Sequence, residues 1–127
     1  YVIKHSDGDL RAVVDDLVDT GIDCLDPIDP LGNMSLSYMK EHYGHRIALK
    51  GNVDCVETLV SKDVQDVRRE TARCMLEGSI DGGHIISSSN SIHRGINPIN
   101  YAAFLEALEE LGNYPLDVER LRAIAGE

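Results

Sequence analysis

The feature that most constrains the fold of this chain is an alternation of short β-like runs with helical runs, joined by short turns. Four apolar runs have the composition of strands, and a helical pattern follows each of them. We predict strands at 1–5, 22–25, 46–50 and 84–88. Strands that alternate with helices are typical of parallel βα units. The sequence therefore predicts an α/β fold with about four parallel βα units.

The helical runs carry apolar residues at the spacing of one helical face. In the first of them Leu10, Val14 and Val18 recur every four residues, and Asp9 is predicted to cap this helix. Further helices are predicted at 35–44 and 56–59, from Ser61 or Asp63 to 78, and at 97–112 and 116–125. No linker, repeat or low-complexity tract divides the chain, so we predict one domain over residues 1–127.

The length of the chain limits how much of a barrel it can form. A chain of 127 residues, 43% of them hydrophobic, has room for one compact domain. A complete (β/α)₈ barrel needs ~250 residues. We therefore predict a partial TIM (β/α) barrel.

Composition excludes several classes of partner. The net charge is −10, and Arg68-Arg69 is the only adjacent pair of basic residues, which disfavours binding to nucleic acid. No apolar run approaches the ~20 residues needed to cross a membrane, so we expect no membrane partner. Three cysteines without a CxxC spacing indicate free thiols and a cytoplasmic location.

Polar residues cluster after each predicted strand, at 5–9, 26–30, 51–54 and 87–93. In parallel βα folds, functional groups collect beyond the carboxyl ends of the strands. His5 and Asp7 are two residues apart and face the same side of a strand, so they form a candidate acid–base pair. The acidic residues at 26–30 also suit turns, and the serine run after the fourth strand also suits a loop.

The strand-end residues do not have the composition of a zinc site. His5, Asp7 and Asn90 offer nitrogen and oxygen donors, and Cys55 is the only cysteine near a strand end. Zinc prefers histidine and cysteine ligands, so we predict no metal site.

The motifs at these strand ends resemble a known family. They are His5-Ser6-Asp7-Gly8-Asp9, Gly51-Asn52-Val53-Asp54, the run from Gly82 to Ile92, and Asn97-Pro98-Ile99-Asn100-Tyr101. In order and spacing they are similar to the C-terminal half of uroporphyrinogen decarboxylase-like proteins. The resemblance implies a TIM-type barrel of which this chain covers about the last four units.

The resemblance also implies an activity for the full-length parent protein. The family's decarboxylases use no cofactor, usually act as homodimers, and remove the carboxylates of the acetate side chains of uroporphyrinogen III. Protonation of the pyrrole ring creates the electron sink, and an aspartate from the N-terminal half holds the pyrrole N–H groups. The family's arginines for substrate carboxylates also lie in that half. The resemblance thus predicts a carboxy-lyase in porphyrin biosynthesis, with the fragment alone inactive.

Two positions depart from the patterns of the superfamily. Asn90 stands where the decarboxylases have a histidine in a Gly-His-Gly turn. A sister branch contains zinc-dependent methyltransferases that act with corrinoid proteins, and His5 matches their first zinc ligand. Asp7 and Asn90 replace their two cysteines, which makes zinc thiol activation an unfavoured hypothesis.

The resemblance predicts a pocket for a small, tetrapyrrole-like substrate. Catalytic roles are predicted for His5 and Asp7, and substrate-binding roles for Asn52, Asp54, Ser89 and Asn90. Three alternatives stay open: a corrinoid-linked methyltransferase-like protein, a non-catalytic binding protein, and an incomplete barrel whose exposed edges self-associate. A homodimer is the expected assembly.

Overall fold

The computed structural model describes all 127 residues and contains one four-stranded parallel sheet. Its strands are β1 (Ile3–His5), β2 (Cys24–Asp26), β3 (Ala48–Lys50) and β4 (His84–Ile85). They lie in the order β1-β2-β3-β4, and every neighbouring pair is parallel. This confirms the predicted α/β fold with four parallel βα units, half the strand number of an eight-stranded barrel.

Six α-helices accompany the sheet. They are α1 (Val14–Asp19), α2 (Leu36–Tyr43), α3 (Thr58–Ser61), α4 (Val64–Gly78), α5 (Pro98–Leu111) and α6 (Val118–Ala125), and a 3₁₀ turn spans Pro30–Gly32. Ser35, Asp63 and Asn97 each accept a hydrogen bond from a backbone N–H in the first turn of their helix. The caps at Ser35 and Asn97 lie where the sequence predicts, and of the two predicted starts of α4 the structure has Asp63 and not Ser61. None of the helices has the combination of length and apolar composition needed to span a bilayer.

The first helix begins later than the sequence predicts. Asp9 does not cap it, because its carboxylate accepts hydrogen bonds from the backbone N–H and the guanidinium of Arg11. Such a local turn competes with helix formation. Helix α1 therefore begins at Val14, although Leu10, Val14 and Val18 are all buried as the predicted apolar face requires.

The two faces of the sheet have different environments. Leu25 and Leu49 are fully buried within the core that the helices form. Successive residues of a strand point to opposite faces. Asp26 and Lys50, each one residue further along, therefore lie on the other face, where Ile85 is about half exposed. Helices thus cover one face of the sheet, and the opposite face carries the strand-end polar residues.

Candidate functional site

The register of the parallel strands aligns the last residues of β1, β2 and β3. His5 is the direct partner of Asp26, and Leu25 is the partner of Leu49, which brings Asp26 beside Lys50. In a parallel sheet, residues in one register row point to the same face. An imidazole, a carboxylate and an ammonium group therefore form one row across three strand ends.

The carboxylate of Asp26 bonds to both of its neighbours. Its Oδ2 lies 2.8 Å from Nδ1 of His5, and its Oδ1 accepts a 2.8 Å hydrogen bond from Nζ of Lys50. The Asp26 side chain is only 10% exposed. A carboxylate so withdrawn from water requires compensating partners, and the two neighbouring strands supply them.

The other side of His5 faces a second carboxylate. Nε2 of His5 lies 3.4 Å from Oδ1 of Asp7, and Nδ2 of Asn90 donates a 2.9 Å hydrogen bond to the same oxygen. The result is a continuous polar chain, Lys50–Asp26–His5–Asp7–Asn90, with members from all four βα units. The structure thus brings together His5, Asp7 and Asn90 of the six predicted site residues.

The two carboxylates favour the protonated form of His5. The hydrogen bond to Asp26 is the main reason that the pKa of His5 is raised above its ordinary value of 6.5, and the charges of Asp26 and Asp7 act in the same direction. Desolvation opposes this effect only in part, since the His5 side chain is 48% exposed. His5 is therefore an imidazolium to higher pH than a free histidine is, and both ring nitrogens then donate.

A cavity of about 260 Å³ opens beside this polar chain. It is lined by His5, Asp26, Lys50, Ser88, Asn90, Ser91 and Ile92. A second cavity of about 380 Å³ lies between the starts of α1 and α2 and is lined mainly by apolar residues such as Val14, Met34 and Met39. A third cavity, of about 460 Å³, is lined by the ion pairs Asp66–Arg69 and Glu70–Arg73, which lie on the outer side of α4. The strand-end cavity is the one in which a histidine with a raised pKa is linked to carboxylates at the carboxyl ends of the strands, which makes it the candidate site.

Asn52 and Ser89 follow strand ends as predicted, but their side chains face the interior. Nδ2 of Asn52 donates to the carbonyl of Ile28, and its Oδ1 accepts from Sγ of Cys74. The hydroxyl of Ser89 accepts from the backbone N–H of Cys55 and donates to its sulfur. These groups connect loops within the core, so we do not include them in the candidate site.

Asp54 also lies away from the polar chain. Its carboxylate accepts hydrogen bonds from the backbone N–H groups of Val56, Glu57 and Thr58, at the turn that leads into α3. Its backbone N–H donates to Glu70 of α4. The position is that of a capping residue, and the structure does not bring it to the cavity.

Sequence reasoning missed Asp26 and Lys50 as site residues. Asp26 precedes Pro27 and was assigned to a turn, and Lys50 was counted only as a strand residue. The available signal was that both are the last residues of strands, in the same position as His5. These two side chains lie next to each other because of the register between β2 and β3. A helix separates the two strands in the sequence, so the local sequence does not indicate that register.

The residues present do not fit the zinc centre of the methyltransferase branch. Cys24, Cys55 and Cys74 are all buried, and burial raises the pKa of Cys74 to about 12, so this thiol remains protonated. His5 already faces carboxylates through both nitrogens. No group of three histidine, cysteine, aspartate or glutamate side chains is arranged to hold a metal ion.

Comparisons with known proteins agree with this architecture. Over 76 residues the chain is 33% identical to the uroporphyrinogen decarboxylase of Chromohalobacter salexigens. This alignment covers 60% of this chain and 21% of that protein. Over 95 residues it is 30% identical to the uroporphyrinogen decarboxylase of Saccharophagus degradans. This alignment covers 75% of this chain and 25% of that protein. The chain thus spans about a quarter or less of the length of these curated relatives.

A solved structure supports the fold independently. A methyltransferase from Methanosarcina mazei superimposes with a TM-score of 0.74 at 22% identity, over 87% of this chain and 31% of that chain. At this identity the likeness concerns the fold alone. The family model described as "Uroporphyrinogen decarboxylase (URO-D)" matches residues 1–111. With nearly the whole chain matched, this chain belongs to the uroporphyrinogen decarboxylase (URO-D) family.

Proposed function

We propose that this chain supplies the proton-donating side of a decarboxylase site in a longer parent protein. The parent would remove carboxylates from the acetate side chains of a tetrapyrrole. The observation that carries the proposal is the imidazole of His5 held between the carboxylates of Asp26 and Asp7 at the strand ends. This arrangement favours the protonated form of His5, beside a cavity that opens to ligand.

The reaction requires a proton at a defined place. Loss of CO₂ from an acetate arm breaks a carbon–carbon bond and leaves the electron pair on the substrate, where a protonated ring accepts it. One proton must then reach the former methylene carbon, so the acetate arm and H⁺ give a methyl group and CO₂. A positioned imidazolium contributes typically ~10²–10⁴-fold to such a proton transfer.

Four members of the polar chain have a proposed role in this step. His5 is the proton donor, and Asp26 holds its ring from the side opposite Asp7. Asp7 stabilises the imidazolium and is itself oriented by the amide of Asn90. Asn90 lines the cavity and contributes to substrate binding.

Methyl transfer is less well supported by the same residues. Zinc thiol chemistry needs thiolate ligands, and the cysteines of this chain lie buried in the core. The methyltransferase of known structure has the same fold, but its sequence identity of 22% is too low to support an inference about activity. A binding protein without turnover uses the same cavity, and a turnover assay distinguishes it from a decarboxylase.

The test is an anaerobic assay of the full-length parent with uroporphyrinogen III, with products separated by chromatography. Replacing His5 by Gln is expected to lower kcat by at least ~10²-fold, because the imidazolium is lost. His42→Gln is the matched control, since His42 lies exposed on α2, bonds to the local backbone and lies beside the rings of Tyr38 and Tyr43. Binding of tetrapyrrole without turnover would contradict the proposal, as would an active His5→Gln variant.

A further inference from the structure

Lys50 presents free hydrogen-bond donors to the cavity at the strand ends. Nζ of Lys50 carries three N–H donors, and Asp26 is the one protein acceptor in hydrogen-bond range. The Lys50 side chain is 30% exposed and lines the cavity. Two donors of a fixed ammonium group therefore remain for a ligand.

The acceptors around Lys50 are already engaged. Each oxygen of Asp26 accepts a hydrogen bond, one from Lys50 and one from His5. The side-chain oxygen of Asn90 accepts from the backbone N–H of Ser91, and the hydroxyl of Ser88 donates to the backbone carbonyl of Asn90. A ligand group that bonds to the two remaining donors of Lys50 must supply acceptors, and next to an ammonium the best acceptor is an anion.

We propose that Lys50 binds a substrate carboxylate that does not react and so holds the substrate beside His5. The inference rests on the proposed function and adds a substrate-binding residue to it. Asp26 acts as a positioning residue, because its hydrogen bond fixes the ammonium group before the ligand arrives.

The carboxylate that Lys50 binds is not the one that leaves. In the transition state, negative charge moves from the scissile carboxylate to carbon. An ammonium on that carboxylate would therefore stabilise the ground state more than the transition state and would slow the reaction. A second, unreacting carboxylate gains binding energy from Lys50 at no such cost. It anchors the substrate while His5, on the other side of Asp26, faces the reacting arm.

The size of the cavity agrees with an anchoring subsite. Its volume of about 260 Å³ is smaller than the pockets of ~300–1,000 Å³ that enclose drug-sized ligands. It accommodates one acid arm, with the remainder of a large substrate outside. The probe should therefore differ only in the charge of its arms.

The experiment measures binding of coproporphyrin III, which has four carboxylates, and of its uncharged tetra-amide to the full-length parent. In Lys50→Met the Kd for the acid is expected to rise by about 10- to 100-fold, as for loss of a charged hydrogen bond, while the Kd for the amide stays unchanged. Lys50→Arg is expected to retain most of the preference. Circular dichroism and the thermal midpoint establish that both variants are folded.

Kinetics separate anchoring from an indirect effect through Asp26. Loss of an anchor raises KM and leaves kcat nearly unchanged. Equal affinity of wild type and Lys50→Met for the acid would overturn the inference even if the parent decarboxylates. So would a fall in kcat with a shifted pH profile and an unchanged KM. If the parent shows no decarboxylation but the charge preference depends on Lys50, the inference stands and the proposed function fails.

Discussion

His5 connects the ionisation of a single side chain to the stability of the fold. Its pKa is raised above 6.5, mainly by the hydrogen bond to Asp26. A raised pKa in the folded state means that the stabilisation is complete below the unfolded-state pKa. It is lost as the pH rises through the folded-state pKa. The difference in the free energy of unfolding between wild type and His5→Gln should therefore decrease as the pH rises from the unfolded-state pKa of His5 through its folded-state pKa. Urea denaturation at several pH values measures this difference.

The same geometry predicts which neighbour controls the proton on His5. Asp26→Asn should lower the pKa of His5, because it removes the largest cause of the shift, and Asp7→Asn should lower it less. A proton NMR titration of the imidazole measures both. A larger effect of Asp7→Asn would contradict the order of contacts, in which Asp26 lies at 2.8 Å and Asp7 at 3.4 Å.

Asp54 provides a test of its exclusion from the site. Asp54→Ala should lower the free energy of unfolding by about 1 kcal/mol, because three backbone N–H groups lose their acceptor. Asp81→Ala removes the same charge at an exposed position and is the matched control. Weaker tetrapyrrole binding by Asp54→Ala than by Asp81→Ala would return Asp54 to the site.

At residue scale the sequence predicts position along the chain better than side-chain direction. His5, Asp7 and Asn90 were predicted from their place after strands, and the structure brings them together. Asn52 was predicted by the same argument, yet it turns into the core directly after Gly51, whose φ is +129°. The direction of a side chain in such a loop depends on contacts with distant loops, which local sequence does not contain.

Among the elements, the connection after β3 depends on a close approach between two loops. A Cβ atom added to Gly51 would lie 1.8 Å from the carbonyl oxygen of Pro27, and the positive φ disfavours any other residue. Gly51→Ala should therefore lower the free energy of unfolding by roughly 2–5 kcal/mol, from backbone strain plus overpacking.

Gly21 provides the control for this prediction. Its φ is +84°, but no atom lies within 4 Å of an added Cβ. Gly21→Ala should cost only the backbone strain of roughly 1–2 kcal/mol. Urea denaturation of both variants measures the difference, and equal losses would show that the contact with Pro27 contributes nothing.

Helices with a cap and a clear apolar period were predicted well from sequence. The predicted helices at 35–44, 63–78 and 97–112 agree closely with α2, α4 and α5. The start of α1 was wrong because the turn formed by Asp9 and Arg11 competes with the helix. The predicted strand 84–88 is shorter in the structure, since after Ile85 only a single bridge, between Ser88 and Val53, continues the pairing.

As a whole molecule, the chain has two unpaired sheet edges and one face without helices. β1 and β4 are the outer strands, and Ile3 and Ile85 on them are about half exposed. Unpaired edges and apolar exposure favour association, and two copies would supply the eight strands of a closed barrel. We therefore propose that the isolated chain forms a homodimer, with twice the monomer mass by light scattering.

Edge substitutions test this assembly. Ile3→Lys and Ile85→Lys should shift the mass toward the monomer, because a lysine on an edge opposes strand pairing. Leu105→Lys is the control, since Leu105 is exposed to a similar degree on helix α5. A monomeric wild type, or dimers that survive both edge variants, would exclude association through the strand edges.

The polar chain from Lys50 to Asn90 also has a consequence for recombination between barrels of this kind. Its five members lie within one uninterrupted segment and form hydrogen bonds and ion pairs with one another at the ends of four strands. Recombination that joins this segment to a different companion half would transfer the imidazole and both of its carboxylates together. Chimeric enzymes built in this way would inherit proton handling as a unit, while the companion half would determine which molecule receives the proton.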